Sequence, residues 1–232
     1  MSEPMTDPQS AASDLPQRLV RWLLFVVVLA VFALGIAGRT DPPMLNAFVA
    51  ATAVLMLAGF LVMDPELGRE RLRRGQVGED PARLLGIRVT FLALFVYALL
   101  DIGRLHWSDG VPRALSIGAL AVFALAFAWE LWAVSVNRFF VPVIRLQTDR
   151  GHRVVDTGPY AIVRHPGYTG MLLMGPTCAL ALGSWWALAP GVVLSALFLA
   201  RAAHEDRFLA GHLEGYADYA ARVRFRLVPG VW

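Results

Sequence analysis

Two polar stretches near the end of the chain carry most of the side chains that could do chemistry. The first runs from Asn137 to Tyr168 and is dense in arginine, histidine, tyrosine, glycine and proline. The second runs from Arg201 to Arg207 and contains the pair Glu205-Asp206. The apolar sequence between them is long enough to cross a membrane twice, which would return both stretches to the same face. We therefore expect the two stretches to form one site.

The residue types in these stretches suit a ligand that carries a carboxylate and a positive charge beside a nucleoside. Arginine side chains bind carboxylates through paired hydrogen bonds. Acidic side chains accept hydrogen bonds from ribose hydroxyls or an ammonium group, and aromatic rings face cations. S-adenosylmethionine fits this description. No GxGxxG sequence occurs in the chain, so the common dinucleotide-binding fold is not indicated.

The order of the residues adds a resemblance to a known family. Gly158-Pro159-Tyr160, Val163-Arg164-His165-Pro166, Tyr168 and Gly170 resemble the signature of the isoprenylcysteine carboxyl methyltransferase family. Its relatives include phospholipid N-methyltransferases and small-thiol methyltransferases. The flanking residues that follow the family pattern are Asn137, Phe139, Gln147, Gly151, His152 and Val154 upstream, and Glu205-Asp206, Leu209, Tyr216 and Tyr219 downstream.

The resemblance implies an integral membrane methyltransferase whose cofactor is S-adenosylmethionine. The residues that it places in the cofactor site are His152, Gly158, Tyr160, Arg164, His165, Tyr168, Glu205 and Asp206. The catalytic residues would be Arg201 and Glu205, with Arg201 one helical turn earlier and nearest the lipid-side entrance. The chain departs from the family pattern in two places. It has Glu205-Asp206 where the family usually has two glutamates, and the spacing around Leu213-Glu214-Gly215 is altered by one residue.

The acceptor of the methyl group is expected to be a lipophilic or lipid-linked molecule that enters from the membrane. A carboxylate of the isoprenylcysteine type is the first expectation. A phospholipid amine or a small thiol would also suit an apolar cavity beside a sulfonium. An NADPH-dependent membrane reductase of the sterol-reductase type is the alternative from another reaction class.

Several other kinds of chemistry are excluded or disfavoured. Cys178 is the only cysteine and lies in an apolar run, so no intramolecular disulfide or cysteine cluster is possible. All 21 basic residues are arginines, which removes lysine Schiff bases and the lysine of a phosphate-binding loop. We expect no metal site, because His204 and His212 are too far apart for a helical zinc motif. Nucleic-acid binding is not expected either, because the run Arg69 to Arg74 lies between two membrane spans.

The remainder of the sequence predicts the elements that hold the two polar stretches. Hydrophobic residues make up 57% of the chain, with a mean hydropathy of +0.55, above the level of soluble domains. Four runs reach the length that a membrane-spanning helix needs, at approximately 19–37, 45–63, 84–105 and 114–136. Residues 168–203 predict a helical hairpin. The fold class is therefore all-α, an integral membrane helical bundle of about five to six transmembrane helices with a cytoplasmic cofactor-binding segment.

The chain divides into a disordered N-terminal tail (1–14), a scaffold of four transmembrane helices (15–136) and a catalytic region (137–232). Arginines concentrate in the tail, the second loop, the segment after the fourth span and the C-terminus. Positive charge accumulates in cytoplasmic loops, so both termini should be cytoplasmic and the protein should reside in the plasma (inner) membrane. The run Arg69 to Arg74 would orient the bundle and contact anionic membrane lipids. We expect Glu130, seven residues before Asn137, to border the cavity.

Overall fold

Every regular element in the part of the chain that the structure describes is helical. The computed structural model describes residues 8–73 and 78–232, and side chains from residue 15 onward. The α-helices are α1 (Pro8–Ala37), α2 (Pro43–Val62), α3 (Pro65–Leu72), α4 (Pro81–Leu100), α5 (Arg113–Val136), α6 (Pro166–Leu182), α7 (Leu188–His212) and α8 (Tyr216–Arg222). A π-helical turn at Asp101–Leu105 and 3-10 turns at Thr148–Arg150 and Gly158–Ala161 complete the set. The predicted all-α class is confirmed.

Four of these helices are long and apolar enough to cross a membrane. They contain the segments Leu15–Ala37, Pro43–Val62, Pro81–Leu105 and Arg113–Val136. The second and third begin with proline at the first helical position, where its missing N–H costs nothing. These segments agree closely with the four predicted spans.

The structure of the N-terminal tail differs in part from the prediction. Helix α1 begins at Pro8, inside the segment 1–14 that was predicted to be disordered. Residues 1–7 of that segment lie outside the described residues.

Helices α6 and α7 form an antiparallel pair joined by the short connection 183–187. Gly175 and Gly191 meet where the two helices cross, because a Cβ atom added to Gly175 would lie 2.6 Å from the carbonyl oxygen of Gly191. Small residues at such a crossing allow two backbones to approach closely. Ser195 on α7 also donates a hydrogen bond of 2.6 Å to the carbonyl of Leu172 on α6. That this pair crosses the membrane twice stays a prediction.

The packed core lies where helices α1, α2, α4, α5 and α6 meet. Phe48 stands at its centre, with its ring 4.9 Å from that of Phe123 and 6.0 Å from that of Phe95. The outward faces are also apolar, and the exposed fractions of Val31 and Leu125 are 67% and 71%. Continuous exposed apolar faces of this kind are stable against lipid and unfavourable against water.

Asp101 and Arg104 do not form the ion pair that their i, i+3 spacing predicts. Asp101 is buried and accepts hydrogen bonds from the backbone N–H of Ser108 (3.0 Å) and the hydroxyl of Ser184 (2.5 Å). Arg104 donates to the carbonyl of Ile36 at 2.7 Å. The π-helical turn that contains both residues points their side chains to different neighbours. Asp101 thereby fixes the end of the bundle opposite the polar stretches.

Candidate active site

One cavity of about 630 Å³ connects the membrane helices to the two polar stretches. This volume lies within the usual range for small-molecule sites. Helices α1, α2, α4 and α5 contribute mostly aromatic and aliphatic side chains, among them Phe32, Phe48, Phe91 and Phe127. The segment 137–168 and helix α7 contribute most of the polar side chains. The cavity can therefore accommodate a ligand that is apolar along one part and polar along another.

Seven of the nine residues predicted for the site line this cavity. These seven are His152, Tyr160, Arg164, His165, Tyr168, Arg201 and Glu205. Gly158 and Asp206 do not line it. Glu130 borders the cavity, as its position on α5 predicts.

Asp206 lies behind the cavity wall at the centre of a buried polar cluster. Its carboxylate accepts two hydrogen bonds from Arg164, at 2.7 and 3.1 Å, and one from Arg226 at 2.8 Å. The hydroxyl of Tyr216 donates to Oδ1 at 2.9 Å, and Nε2 of His165 lies 3.1 Å from the same oxygen. Glu205 and Asp206 point to different sides of α7, since successive helical residues are about 100° apart. Asp206 thus holds the side chains of the cavity wall, and Glu205 faces the cavity.

Arg164 ties the start of α6 to the C-terminal segment. Its Nη1 donates hydrogen bonds of 2.8 Å to the carbonyls of both Val223 and Arg224. Its backbone N–H donates to the carbonyl of Phe225, and the N–H of His165 donates to that of Arg226, each at 2.9 Å. The Arg164 guanidinium therefore makes its hydrogen bonds to Asp206 and to the C-terminal segment.

The charge of Asp206 is stabilised by its neighbours. Burial by itself raises the pKa of this carboxyl group, but the hydrogen bonds from His165, Arg164 and Arg226 hold the pKa well below its usual range. Burial, together with the charge of Asp206, raises the pKa of Tyr216. Tyr216 therefore keeps its proton and remains a donor to a carboxylate that stays ionised.

Gly158 shapes the turn that brings Tyr160 to the cavity. Its φ of +57° is in the left-handed region that favours glycine, and an added Cβ would lie 3.3 Å from the indole nitrogen of Trp132. The hydroxyl of Tyr160 accepts a hydrogen bond of 2.9 Å from the side-chain amide of Asn137. Tyr219 donates to the carbonyl of Tyr160 at 2.7 Å. Burial raises the pKa of Tyr160, so its phenol stays neutral.

His152 is fixed by the residues that precede it. Its ring lies 4.5 Å from that of Phe139, and its Nδ1 faces the backbone N–H of Gln147 at 3.4 Å. Gln147 is buried and donates to the carbonyl of Phe139 at 2.8 Å. Burial lowers the pKa of His152, which favours the neutral imidazole at pH 7.

Helix α7 presents Glu205 and Arg201 to the cavity one turn apart. The hydroxyl of Tyr168 donates a hydrogen bond of 2.6 Å to Glu205. Nε of Arg201 lies 3.2 Å from a carboxylate oxygen of Asp80, and Nη2 donates to the carbonyl of Pro142 at 2.6 Å. The side chains of Arg201 and Asp80 are only 5% and 4% exposed. The guanidinium is therefore fixed in orientation.

Asp80 is a site residue that sequence reasoning missed. An aspartate directly before a helix that begins with proline is ordinarily assigned as an N-cap, yet the Asp80 side chain makes no capping hydrogen bond. It pairs instead with Arg201, 121 residues further along the chain. Burial raises the pKa of Asp80, and the charge of Arg201 opposes this rise. The local sequence gives no sign of this pairing, because the absence of a capping hydrogen bond is visible only in the structure.

The loop between α2 and α4 also reaches the site, through helix α3. Arg145 pairs with Glu70 at 2.6 Å, and Arg150 pairs with Glu66 at 2.9 Å. Arg71 donates to the carbonyl of Phe140 at 3.1 Å and lines the cavity. Arg71 belongs to the run that was predicted to contact lipid. In the structure it contacts the first polar stretch.

In a comparison with known proteins, residues 113–214 match the family model described as phospholipid methyltransferase. The chain is 33% identical over 136 residues to the cobalt-zinc-cadmium resistance protein CzcN of Cupriavidus metallidurans, covering 55% of this chain and 56% of that protein. It is 30% identical over 92 residues to protein-S-isoprenylcysteine O-methyltransferase B of Arabidopsis thaliana, covering 39% and 47%. The chain spans about half the length of the curated relatives that it matches.

A solved structure shares the fold over nearly the whole chain. The eukaryotic intramembrane Ras methyltransferase, isoprenylcysteine carboxyl methyltransferase, superposes with a TM-score of 0.61 at 16% sequence identity. The match covers 98% of this chain and 88% of that protein. The predicted helical membrane fold is therefore confirmed, and the sequence matches agree with the predicted resemblance to membrane methyltransferases.

Proposed function

We propose that this chain, an integral membrane protein related to the isoprenylcysteine carboxyl methyltransferases, transfers a methyl group from S-adenosylmethionine to the carboxylate of a lipophilic acceptor of the isoprenylcysteine type. The observation that carries this proposal is a cavity to which membrane helices contribute apolar side chains and the two polar stretches contribute His152, Tyr160, Tyr168 and Glu205. The name of the relative from Arabidopsis thaliana agrees with it.

The residues present fit S-adenosylmethionine. The Glu205 carboxylate faces the cavity and can accept hydrogen bonds from ribose hydroxyls or from the ammonium group. Tyr160, His165 and Tyr168 provide rings beside a cation. His152 is neutral because burial lowers its pKa, so it does not repel the sulfonium. These side chains would hold the cofactor. Arg164, Gly158 and Asp206 would act indirectly, by orienting the residues that contact it.

The chemical demand on the protein is modest. When bound, S-adenosylmethionine would supply the methyl group of its sulfonium: the acceptor carboxylate oxygen would bond to the methyl carbon as the bond from carbon to sulfur breaks, giving a methyl ester and S-adenosylhomocysteine. A carboxylate is already a nucleophile, so no general base has to act. The side chains of the cavity have to orient the acceptor and exclude water.

Arg201 is the residue that we assign to the acceptor carboxylate. It lines the cavity one turn from Glu205, and Asp80 and the carbonyl of Pro142 fix its orientation. Guanidinium groups pair well with carboxylates because they offer several N–H donors in one plane. Asp80 is a positioning residue in this assignment.

A phospholipid amine is the second candidate acceptor, and the matched family description favours it. An amine has to lose a proton during methylation, and Glu130 or Glu205 would then be the acceptor of that proton. The two candidates differ in their products, since a methyl ester is cleaved by base and a methylated amine is not.

The orientation in the membrane is part of the proposal. The arginine-rich segments after the second and fourth spans and both termini would be cytoplasmic. S-adenosylmethionine would then enter from the cytosol, and the acceptor would enter laterally from the plasma (inner) membrane.

The test is methyl transfer by purified protein in lipid nanodiscs with labelled S-adenosylmethionine. The acceptors are an N-acetylated S-prenylcysteine, phosphatidylethanolamine and a small apolar thiol. We expect base-labile label on the prenylcysteine, a large loss in Glu205→Gln, and wild-type activity in Glu214→Gln, whose carboxylate is exposed. Folded protein that labels none of the three acceptors, or that oxidises NADPH instead, would refute the proposal.

A further inference from the structure

A second, smaller pocket lies at the end of the bundle opposite the polar stretches. Its volume is about 300 Å³, and it shares no lining residue with the cavity described above. The start of α2, the turn after α4, the start of α5 and the end of α6 form its walls. The proposed methyl transfer leaves this pocket without a role.

Helices α2 and α5 both begin at this pocket. Their first residues, Pro43 and Arg113, line it. In the described part of the chain, neither helix has a side-chain cap or an acidic residue in its first turn. The start of a helix carries partial positive charge and backbone N–H groups that lack a partner within the helix. Two such starts beside one pocket favour a negatively charged group between them.

Arg113 adds a full positive charge at the start of α5. Its side chain is exposed, lines the pocket, and has no hydrogen bond or ion pair among residues 15–73 and 78–232. A cation is unfavourable at this end of the helix dipole. A bound anion would remove that conflict, because it would pair with the guanidinium and with the helix at once.

Ser116 provides independent evidence for a ligand. The residue is only 2% exposed and lines the pocket one helical turn after Arg113. Its hydroxyl has no hydrogen-bond partner within the described ranges. The hydroxyl lies toward Gly183 on the opposite wall, where an added Cβ would be 4.0 Å from the Ser116 oxygen. A buried hydroxyl without a partner is unfavourable, so an acceptor inside the pocket would satisfy it.

Asp109 places a negative charge beside the same pocket. Its carboxylate is 76% exposed and lies 3.4 Å from Nδ1 of His106. The other two carboxylates that line the pocket are occupied by stronger contacts. Asp41 accepts a hydrogen bond of 2.7 Å from Nε of Arg39, and Asp101 is buried among serine donors. The pocket therefore offers an arginine and a carboxylate to one ligand, which suits a ligand that carries both charges.

Exposed tryptophans surround this end of the bundle. Trp107 and Trp186 are 55% and 59% exposed, and their rings are 5.9 Å apart. Trp107 stands between His106 and Ser108, which both line the pocket. Tryptophan is enriched where a membrane protein meets the lipid headgroups. The pocket thus lies at the depth of the headgroups, where phospholipids are the abundant molecules with a phosphate.

We propose that this pocket binds the headgroup of a zwitterionic phospholipid. The phosphate would accept hydrogen bonds from Arg113, from Ser116 and from the first turn of α5, and the ammonium group would lie beside Asp109. The bound lipid belongs to the leaflet on the side away from the polar stretches. The proposal does not depend on methyl transfer, because it concerns the opposite end of the bundle.

The experiment is thermal unfolding of the whole chain in detergent micelles that contain increasing fractions of phosphatidylethanolamine. A ligand that binds only the folded protein raises the melting temperature with its concentration. We expect such a rise for wild type, and none with a diacylglycerol of the same acyl chains. Arg113→Gln should weaken the lipid affinity by about tenfold or more, and Ser116→Ala by about threefold.

The behaviour without lipid distinguishes a binding role from a structural one. Arg113→Gln should then melt at or above the wild-type temperature, since the substitution removes a cation from the start of a helix. A lower melting temperature would show that Arg113 stabilises the fold by itself and would overturn the proposal. Arg207→Gln is the matched control, an exposed arginine on α7 at the other end of the bundle, and should keep the wild-type response to lipid.

Two comparisons test the nature of the ligand. Wild type should bind phosphatidylethanolamine more tightly than phosphatidylglycerol, and Asp109→Asn should lose this preference. A lipid response that Arg113→Gln leaves unchanged would mean that the lipid binds elsewhere, the larger cavity included, and would overturn the proposal. Soluble phosphoethanolamine that raises the melting temperature as much as the lipid does would overturn the assignment of a lipid as the occupant.

Discussion

Replacing Asp206 with asparagine tests the cluster that holds the cavity wall. The substitution keeps the size of the side chain and one acceptor oxygen but removes the negative charge. Arg164 would then remain buried without a counter-charge, since the side chains of Arg164 and Asp206 are only 7% and 8% exposed. The two carbonyls that Arg164 also contacts would still accept its Nη1 hydrogens.

The expected cost follows from this burial. Removing one partner of a buried ion pair costs about 3–5 kcal/mol, because the remaining charge is left uncompensated. The retained carbonyl contacts and the partly exposed Arg226 place Asp206→Asn near the lower end of that range, at about 3 kcal/mol. For a chain of this length, that change lowers the melting temperature by roughly 6–12 °C.

The assay is thermal unfolding in one detergent, followed by the fluorescence of the protein. Asp156→Asn is the matched control, because Asp156 pairs with Arg222 at 2.9 Å while the side chains of Arg222 and Asp156 are 67% and 43% exposed. A surface pair of this kind contributes less than about 1 kcal/mol. If Asp206→Asn melts within about 2 °C of the control, the cluster does not stabilise the fold as reasoned here.

Three further predictions concern the same wall of the cavity. The pKa of Asp206 is held below its usual range in the folded protein, so its stabilisation is present above pH of about 4 and is lost as the pH falls further; the melting temperature of wild type should therefore fall more steeply below that pH than that of Asp206→Asn. Arg201→Gln should lower the free energy of unfolding by about 3 kcal/mol, measured by the same melts, because the buried charge of Asp80 would keep only its longer contact with Arg83, at 3.9 Å; adding Asp80→Asn should restore part of the loss, and strictly additive effects would contradict this pairing. Tyr168→Phe removes the 2.6 Å hydrogen bond to Glu205 and should weaken S-adenosylmethionine binding about tenfold by calorimetry; an unchanged affinity would remove that pair from the cofactor site.

The helical spans and the location of the site could be predicted from the sequence because both depend on local composition. A run of apolar residues must form a helix in lipid, whatever surrounds it. The polar stretches flanking α6 and α7 had to emerge near one another once those helices were expected to pair. Glu130 was placed correctly for the same reason, since helical geometry relates it to Asn137 seven residues later.

The partners inside the site could not be predicted, because they join distant parts of the chain. Asp206 pairs with Arg164 across 42 residues, and Arg201 pairs with Asp80 across 121 residues. No local pattern marks such pairs. Asp206 looked like a cofactor ligand because it adjoins Glu205, although the helix turns its carboxylate away from the cavity.

Glycine presents a related difficulty, because a motif does not reveal why a glycine is needed. Gly158 lies two residues before Tyr160 in a signature that suggested contact with the cofactor. In the structure it supplies a positive φ and a close approach to Trp132. The sequence alone does not distinguish a glycine that contacts a ligand from one that is needed for its backbone conformation.

Isothermal calorimetry on detergent-purified protein can show whether this cavity binds S-adenosylmethionine. We predict that wild type binds S-adenosylmethionine and S-adenosylhomocysteine with one site per chain, that Glu205→Gln binds both at least tenfold more weakly, and that Glu214→Gln binds as wild type does. Folded wild-type protein that binds neither ligand, or that binds NADPH in their place, would contradict the account.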